Sequence, residues 1–357
     1  MLQAGEMTDR PTLADVASAA GVSVSTASLA FSGAGPIAAT TKDRVLAAAV
    51  LLGYAGPSAL GRSLRSGRSN IVGVVIGDQL RRSFRDPVSI QTLDGLADRL
   101  GPRGLGVLLV PAAGAPLDAP DPVIATAPMD AAVLLGGARR DDPALDVLRR
   151  RGIPVVLSEG PVTAGLPVVG IDDRSGTVTA IDHLRGLGHT RIAVVTLPLG
   201  GERRCAPADA ARLAAVDCPP AANRLLGLAD SGLMPTVVVE ASASLVEAGA
   251  EAGRLVLDAA DPPTAVLAQS DLIAAGVLLA AKELGLRVPQ DVSVAGFDGL
   301  DLPWLAPDVL TSVAQPLAAK GAAMADAVIE ILAGAAPEDV SLGVELRVGT
   351  TTGPPRA

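Results

Sequence analysis

Aromatic residues are nearly absent from this 357-residue chain, which has three Phe, one Trp and one Tyr. Its core must therefore be built from Ala, Val and Leu, and any pocket has few ring faces to stack on a ligand. Cysteine and histidine are equally scarce, at two each. Cys205 and Cys218 cannot make a disulfide framework, and with His183 and His189 they fall short of a zinc-binding set. Both thiols are expected to be free in a reducing cytoplasm, and no metal or other cofactor is expected. Long apolar runs are missing as well: segments such as Leu272–Ala281 stop well short of the ~18 residues that span a bilayer, so no membrane partner is expected. The N-terminal MLQAGEMTDRP has no apolar stretch behind a basic one, so no secretory signal is expected. Charged residues make up 19% and apolar residues 49%, a balance that argues against disorder. At a prior of about 150 residues per domain, the length points to two or three domains.

The net charge of −9 speaks against nucleic acid at first sight. Its placement does not. Residues 1–70 carry six basic and four acidic side chains, and the remainder carries 23 basic and 34 acidic. A slightly basic N-terminal segment on an acidic body hints at a small polyanion-binding module.

The first sixty residues read as short helices. Thr12-Leu-Ala-Asp15 is a capping box, in which the Thr hydroxyl and the Asp carboxylate each meet the other's backbone N–H. Leu13, Val16, Ala17 and Ala20 follow at helical spacing, and Gly21 supplies the positive φ of a tight turn. Ser23 caps a second helix, Val24 to Phe31, and a third covers about Thr41 to Leu52. Two helices joined by a short Gly-containing turn make a helix-turn-helix pattern, with an αα-hairpin of a bundle as the alternative. The second helix opens with Val24, Ser25, Thr26 and Ser28, short hydroxylated side chains suited to phosphates and base edges.

From Ile71 onward, apolar runs alternate with helical stretches. Strands are predicted at 71–76, 106–110, 131–135, 154–157, 168–171, 191–195, 236–239, 265–268 and 292–295. Helices are predicted at 89–100, 144–151, 175–187, 245–257 and 272–284. Runs buried on both faces that alternate with helices predict parallel doubly wound sheets. Nine strands are too many for one such sheet, so two tandem α/β lobes with a cleft between them are expected. No Walker A motif, nucleophile elbow or dinucleotide fingerprint is present, and no enzyme activity is expected. His183 and His189 read as structural. Asp172 and Asp173 follow a strand and fit either a site or a cap.

The segments TLADVASAAGVSVSTASLAFSG, TKDRVLAAAVLLGY and RSLRSGRSNIVGVV resemble the N-terminus of the lactose-repressor (LacI-type) transcription regulators. DDRSGTVTAIDHLRGLGHTRIAVV, NRLLGLADSGL, VPQDVSVAGFD and LTSVAQPLAAKGAAMADAVIEIL continue the resemblance in order, from Thr12 to about Thr352. It implies a dimeric regulator, most simply a repressor, that binds near-palindromic double-stranded operator DNA under the control of a small-molecule effector, a sugar or another polar metabolite. The expected organisation is a disordered 1–10, a helix-turn-helix headpiece at 11–55, a hinge at 56–69 and a periplasmic-binding-protein-like core at 70–357. Within the core, lobe 1 is expected at 70–189 plus 298–325, and lobe 2 at 190–297 plus 326–352. The ending GPPRA, with no heptad segment, makes dimers and not tetramers the expectation.

In the headpiece the resemblance places Val24 and Ser25 at base edges, and Ser23, Thr26 and Ser28 at phosphates, with Thr12 also on the DNA side. Leu29 stands where many relatives carry Arg. In the hinge, Leu64 matches a leucine that wedges into the minor groove, Arg62 flanks it, and Gly61 stands at a common Ala. In the core, Asp298, Asp271 and Arg224 match the effector cleft, with Ser175 and Asp78 as further candidates and Phe84 as the best stacking ring. Segment 200–220, rich in Ala and Pro with both cysteines, looks diverged and looser than in family members. A solute-binding receptor with the same core is the competing reading; the attached headpiece opposes it.

Overall fold

A computed structural model describes residues 11–33, 35–56, 67–77, 80–111, 122–136, 142–160 and 165–356. The chain divides between Ser69 and Asn70 into two compact units. The N-terminal unit holds α1 (Leu13–Ala19), α2 (Val24–Ser32) and α3 (Ala39–Leu52). Both arms of the capping box form, with Thr12 N donating to Asp15 Oδ2 at 2.7 Å and Asp15 N to Thr12 Oγ1 at 3.3 Å. Gly21 takes φ 63° in the turn, and α2 leaves α1 at 104°, within the range of helix-turn-helix pairs. Val16, Ala17, Ala27, Ala30, Val45, Ala48 and Ala49 fill the small core. Phe31 and Tyr54 close it edge to face at 5.6 Å.

The second unit contains two sheets. The first includes β1 (Ile71–Ile76), β2 (Gly106–Pro111), β3 (Ala131–Leu135), β4 (Val155–Ser158) and β5 (Val168–Ile171). Its order is β12-β5-β4-β3-β1-β2, all parallel, with β12 (Val340–Leu342) at one edge. The second includes β6 (Ile192–Thr196), β7 (Ala206–Pro207), β8 (Val238–Glu240), β9 (Ala265–Ala268), β10 (Ser293–Asp298), β11 (Thr311–Ala314) and β13 (Glu345–Arg347). Its order is β13-β11-β10-β9-β6-β8-β7, antiparallel only at β13 and β7. The parallel strands repeat one winding order, and each sheet has a switch point where ligands of such folds collect, at the carboxyl ends of the strands. Among the described residues no single helix is long and apolar enough to cross a membrane.

The lobe boundaries expected from the sequence need correction. The helix Asp173–Gly186 packs on the helix Pro219–Asp230 and on β9, β11 and β13, so it belongs to the second lobe. Strand β11 continues the second sheet, whereas the helix Leu317–Leu332 packs on the helix Pro87–Leu100 and on β3, β4 and β5 of the first. The chain thus changes lobe near 172, 316 and 343, and not at 189, 297 and 325. The Leu317–Leu332 helix docks closely because Gly95 and Gly321 face it and its partner: a Cβ on either would collide with the backbone of Ala318 or Thr92.

Segment 200–220 is anchored to the second sheet. Glu240, fully buried at the end of β8, accepts from Arg212 Nε at 2.8 Å and Nη2 at 2.6 Å, and from Leu199 N at 2.8 Å. Arg204 adds a contact at 3.3 Å. A buried carboxylate needs such partners, and it gathers the Ala/Pro-rich segment around itself. Low local periodicity hid this, because the anchor lies 28 residues away.

Candidate functional site

The headpiece presents the side chains the sequence singled out. Ser23 caps α2, accepting from Thr26 N at 3.1 Å and lying 2.8 Å from both the Ser25 and Thr26 hydroxyls. The cap satisfies one of the orphan N–H groups of the helix end. Val24 is 50% exposed and Ser25 is exposed, while Ser28 and Leu29 are partly covered. An apolar residue held open to solvent at a helix start, beside two hydroxyls, has no role in this core. Thr12 is engaged in its own cap, donating from its hydroxyl to Asp15 at 2.7 Å. Gly61, Arg62 and Leu64 of the hinge and Asp78 of the core lie outside the described residues.

In the core, a set of polar side chains sits at or just past the carboxyl ends of the strands: Glu159 after β4, Asp173 after β5, Gln269 after β9, Asp298 closing β10 and Gln315 after β11. Arg224, only 4% exposed, lies at their centre. Its Nε donates to Asp173 Oδ1 at 2.8 Å and its Nη1 to the Gln269 carbonyl. Its Nη2 stands 3.6 Å from Asp298 Oδ1, and its plane covers the Phe297 ring at 3.7 Å. Gln315 donates to Asp298 at 2.8 Å, and Lys320 donates to Gln315 at 2.8 Å and to Glu159 at 3.0 Å. A continuous buried polar chain therefore runs from Arg224 in the second lobe to Glu159 in the first.

Asp271, fully buried, accepts from the Ser312 hydroxyl at 2.6 Å and from Leu300 N at 2.7 Å. Burial pushes Asp271 up to about 6 despite these bonds. Asp298 rises further, to about 8, because burial and the neighbouring Asp271 and Asp86 charges outweigh the pull of Arg224. Burial also raises Glu159 and Asp86. Among the described residues only three non-glycine residues take a positive φ: Asn70, Glu159 and Asp298. Two of these belong to the cleft, and the third stands where the linker enters the core. Backbone strain of about 1–3 kcal/mol per residue is typically held at functional positions.

The lobes meet beside this chain. Val88 of the first packs with Val246, Leu272 and Leu300 of the second, and Arg85 pairs with Glu247 at 2.8 Å. Two sequence candidates are not part of the cluster. Phe84 is 57% exposed, so it is no stacking platform within it. Ser175 is exposed in the first turn of its helix, where its N–H meets Asp172. Asp172 is thus the cap and its neighbour Asp173 the buried carboxylate of the cluster. His189 is structural, contacting Thr264, Ser293 and the Gly353 carbonyl. The sequence reading missed Glu159, Gln315 and Lys320. Their only signal is position, one step beyond a strand or one turn into the next helix, and it needs the sheet order to be seen.

Comparison with known proteins agrees with both units. The model of the bacterial regulatory proteins of the lacI family matches residues 12–56, and that of the periplasmic binding protein-like domain matches 181–352. An HTH-type transcriptional regulator of Mycobacterium tuberculosis is 33% identical, over 97% of this chain and 98% of its own. The HTH-type transcriptional repressor CytR of Escherichia coli is 30% identical over 85% of each chain. Among solved structures, the lac repressor dimer bound to operator and the anti-inducer ONPF is similar in fold. It has a TM-score of 0.82 at 23% identity, covering 97% of this chain and all of that one.

Proposed function

The chain belongs to the LacI family of bacterial regulatory proteins, which are helix-turn-helix transcription regulators, and on that premise we propose a homodimeric, cytoplasmic repressor switched by a small polar effector. The observation that carries this reading is the pairing of an open-faced α2, with Val24 and Ser25 exposed at its start, with a core whose strained carboxylate Asp298 sits at a sheet's carboxyl end. Ser23, Thr26 and Ser28 fit phosphate contacts, which position the module without specifying sequence. A closed dimer presents two such helices to paired half-sites, so the operator is near-palindromic. In the hinge, Arg62 and Leu64 join the DNA interface, the leucine as a wedge at a deformable step.

The effector site is the cleft around Asp298, Asp271 and Arg224. Both lobes contribute to it, and the first lobe follows directly from Asn70, so a change in closure alters the separation of the two hinges. Coupling of this kind is typically ~1–3 kcal/mol and reciprocal. The experiment is a mobility shift with DNA upstream of the protein's own gene, using the full chain and a chain lacking residues 1–69. Binding by the full chain alone supports the reading; equal binding by both overturns it. Footprinting should then show two-fold symmetric protection.

A further inference from the structure

The chain crosses between the lobes three times, and the crossings are not tied alike. Those near 172 and 343 run side by side, with Asp172 N donating to the Leu342 carbonyl at 3.0 Å. The crossing at 316 is a sharp corner. Pro316 has φ −81° and ψ 73°, and Leu317 N donates back to the Gln315 carbonyl at 3.0 Å, which makes an inverse γ-turn. A three-residue turn closed by one bond does little to fix the angle between its arms.

Each arm is anchored in its own lobe. On the second-lobe side, Gln315 donates from its backbone to the Asp298 carbonyl at 3.2 Å and from its side chain to Asp298 Oδ1 at 2.8 Å. On the first-lobe side, Lys320 stands one turn into the helix Leu317–Leu332. Its neighbour Gly321 lies against the Thr92 carbonyl with no room for a Cβ. The Lys320 ammonium reaches back over the corner, donating to Gln315 Oε1 at 2.8 Å and to Glu159 Oε1 at 3.0 Å. Glu159 is itself fixed just past β4, its N–H on the Val169 carbonyl at 3.0 Å. The bond to Gln315 closes a ring through the Pro316 corner, and a change of lobe angle there has to stretch it.

Lys320 is 5%, Glu159 4% and Gln315 8% exposed. A buried ion pair is a poor source of stability, because desolvation offsets much of what the partners return. What such a group can supply is one defined arrangement. The other links between the lobes lack that definition. Arg85 and Glu247 are half-exposed, where an ion pair contributes little, and the packing of Val88 on Val246, Leu272 and Leu300 is non-directional.

We propose that Lys320 is an internal strut that fixes the closure of the two lobes and, through it, the operator-binding geometry of this regulator. The second half rests on the regulator reading above. Loss of the Lys320–Gln315 bond frees the Pro316 corner, and the first lobe, which begins at the linker end near Asn70, turns against the second. Lys320 is a positioning residue for the switch.

The test is hydrogen exchange of the full-length protein, read by mass spectrometry on peptides across the core. Lys320→Met keeps the long apolar stem and removes the donors. Because it leaves Glu159 buried without its cation, a double variant carrying Glu159→Gln with Lys320→Met, which removes both charges together, is run beside it. In both, exchange at 315–317 and at the rim peptides holding Val88 and Val246 should rise at least ~10-fold, since a charge-assisted hydrogen bond is lost. Strands β1 and β9 should exchange as in the wild type. Arg85→Ala, which cuts only the exposed rim pair, should raise exchange at 315–317 less than ~2-fold. Unchanged exchange at the corner in the double variant overturns the strut, as does a rise spread evenly over the core or an equal effect of Arg85→Ala. Mobility shifts with DNA upstream of the protein's own gene test the coupling. The double variant's affinity should differ from the wild type's by at least ~5-fold, the lower end of typical coupling, and an unchanged affinity refutes it. A wild-type protein that binds no such DNA counts against the regulator reading, while the exchange pattern still decides the strut.

Discussion

The headpiece and the buried polar cluster of the core are built by opposite routes. In the headpiece, the groups that matter are neighbours in sequence: Ser23 meets Ser25 and Thr26, and Thr12 meets Asp15, over separations of two or three residues. In the cluster the partners are remote: Arg224 is 51 residues from Asp173, and Lys320 is 161 from Glu159. The difference teaches where stability and recognition reside. Headpiece side chains are left exposed and available to DNA, so losing one costs the fold little. Cluster side chains are buried and mutually dependent, so losing a cation leaves an uncompensated charge.

Arg224→Ala is the harshest test of that contrast. It strands buried Asp173 without its cation, and a loss of about 3–5 kcal/mol in core stability is expected, measured by urea unfolding. A change below 1 kcal/mol would show that the carboxyls simply take up protons and that the cluster is not interdependent. Arg212→Ala comes next, with an expected loss of about 3 kcal/mol concentrated in segment 200–217. Limited proteolysis should cut there first, and unchanged resistance would contradict the anchoring role of Glu240. Ser23→Ala should cost only about 1 kcal/mol, confined to the headpiece transition, and leave the core melting temperature untouched.

The core should also respond to pH. Asp298 and Asp271 hold protons in the folded core that the unfolded chain has already lost, since their values are raised to about 8 and about 6. The stability this contributes is fully present below the unfolded value near 4 and is lost as pH rises through about 6 and then about 8. The core melting temperature should therefore fall between pH 5 and pH 8.5. Asp298→Asn should flatten the upper part of that slope, whereas headpiece melting should not follow it.

Much of the molecule was legible beforehand. Helix caps and breakers announced α1 to α3 because the forces that set them act within one turn. The nine long strand runs were visible because buried parallel strands need continuous apolar sequence. Strands β7, β11, β12 and β13 were not. They are two to four residues long, and three of them, β7, β12 and β13, are edge strands, each defined by its neighbour more than by its own pattern. The same reason explains the misplaced lobe boundaries, since only pairing reveals that β11 belongs with β10 and β12 with β5.

By itself, then, the sequence determined the headpiece, the α/β alternation and the scarcity of stacking rings, because each follows from local preference or from composition. Tertiary structure alone decided that Arg224 is engaged internally, that Asp173 and not Ser175 joins the buried cluster, and that Lys320 links Gln315 to Glu159. A charged side chain's role depends on which other charges share its low-dielectric surroundings, and in this chain those partners are brought together only when strand ends from two interleaved lobes converge.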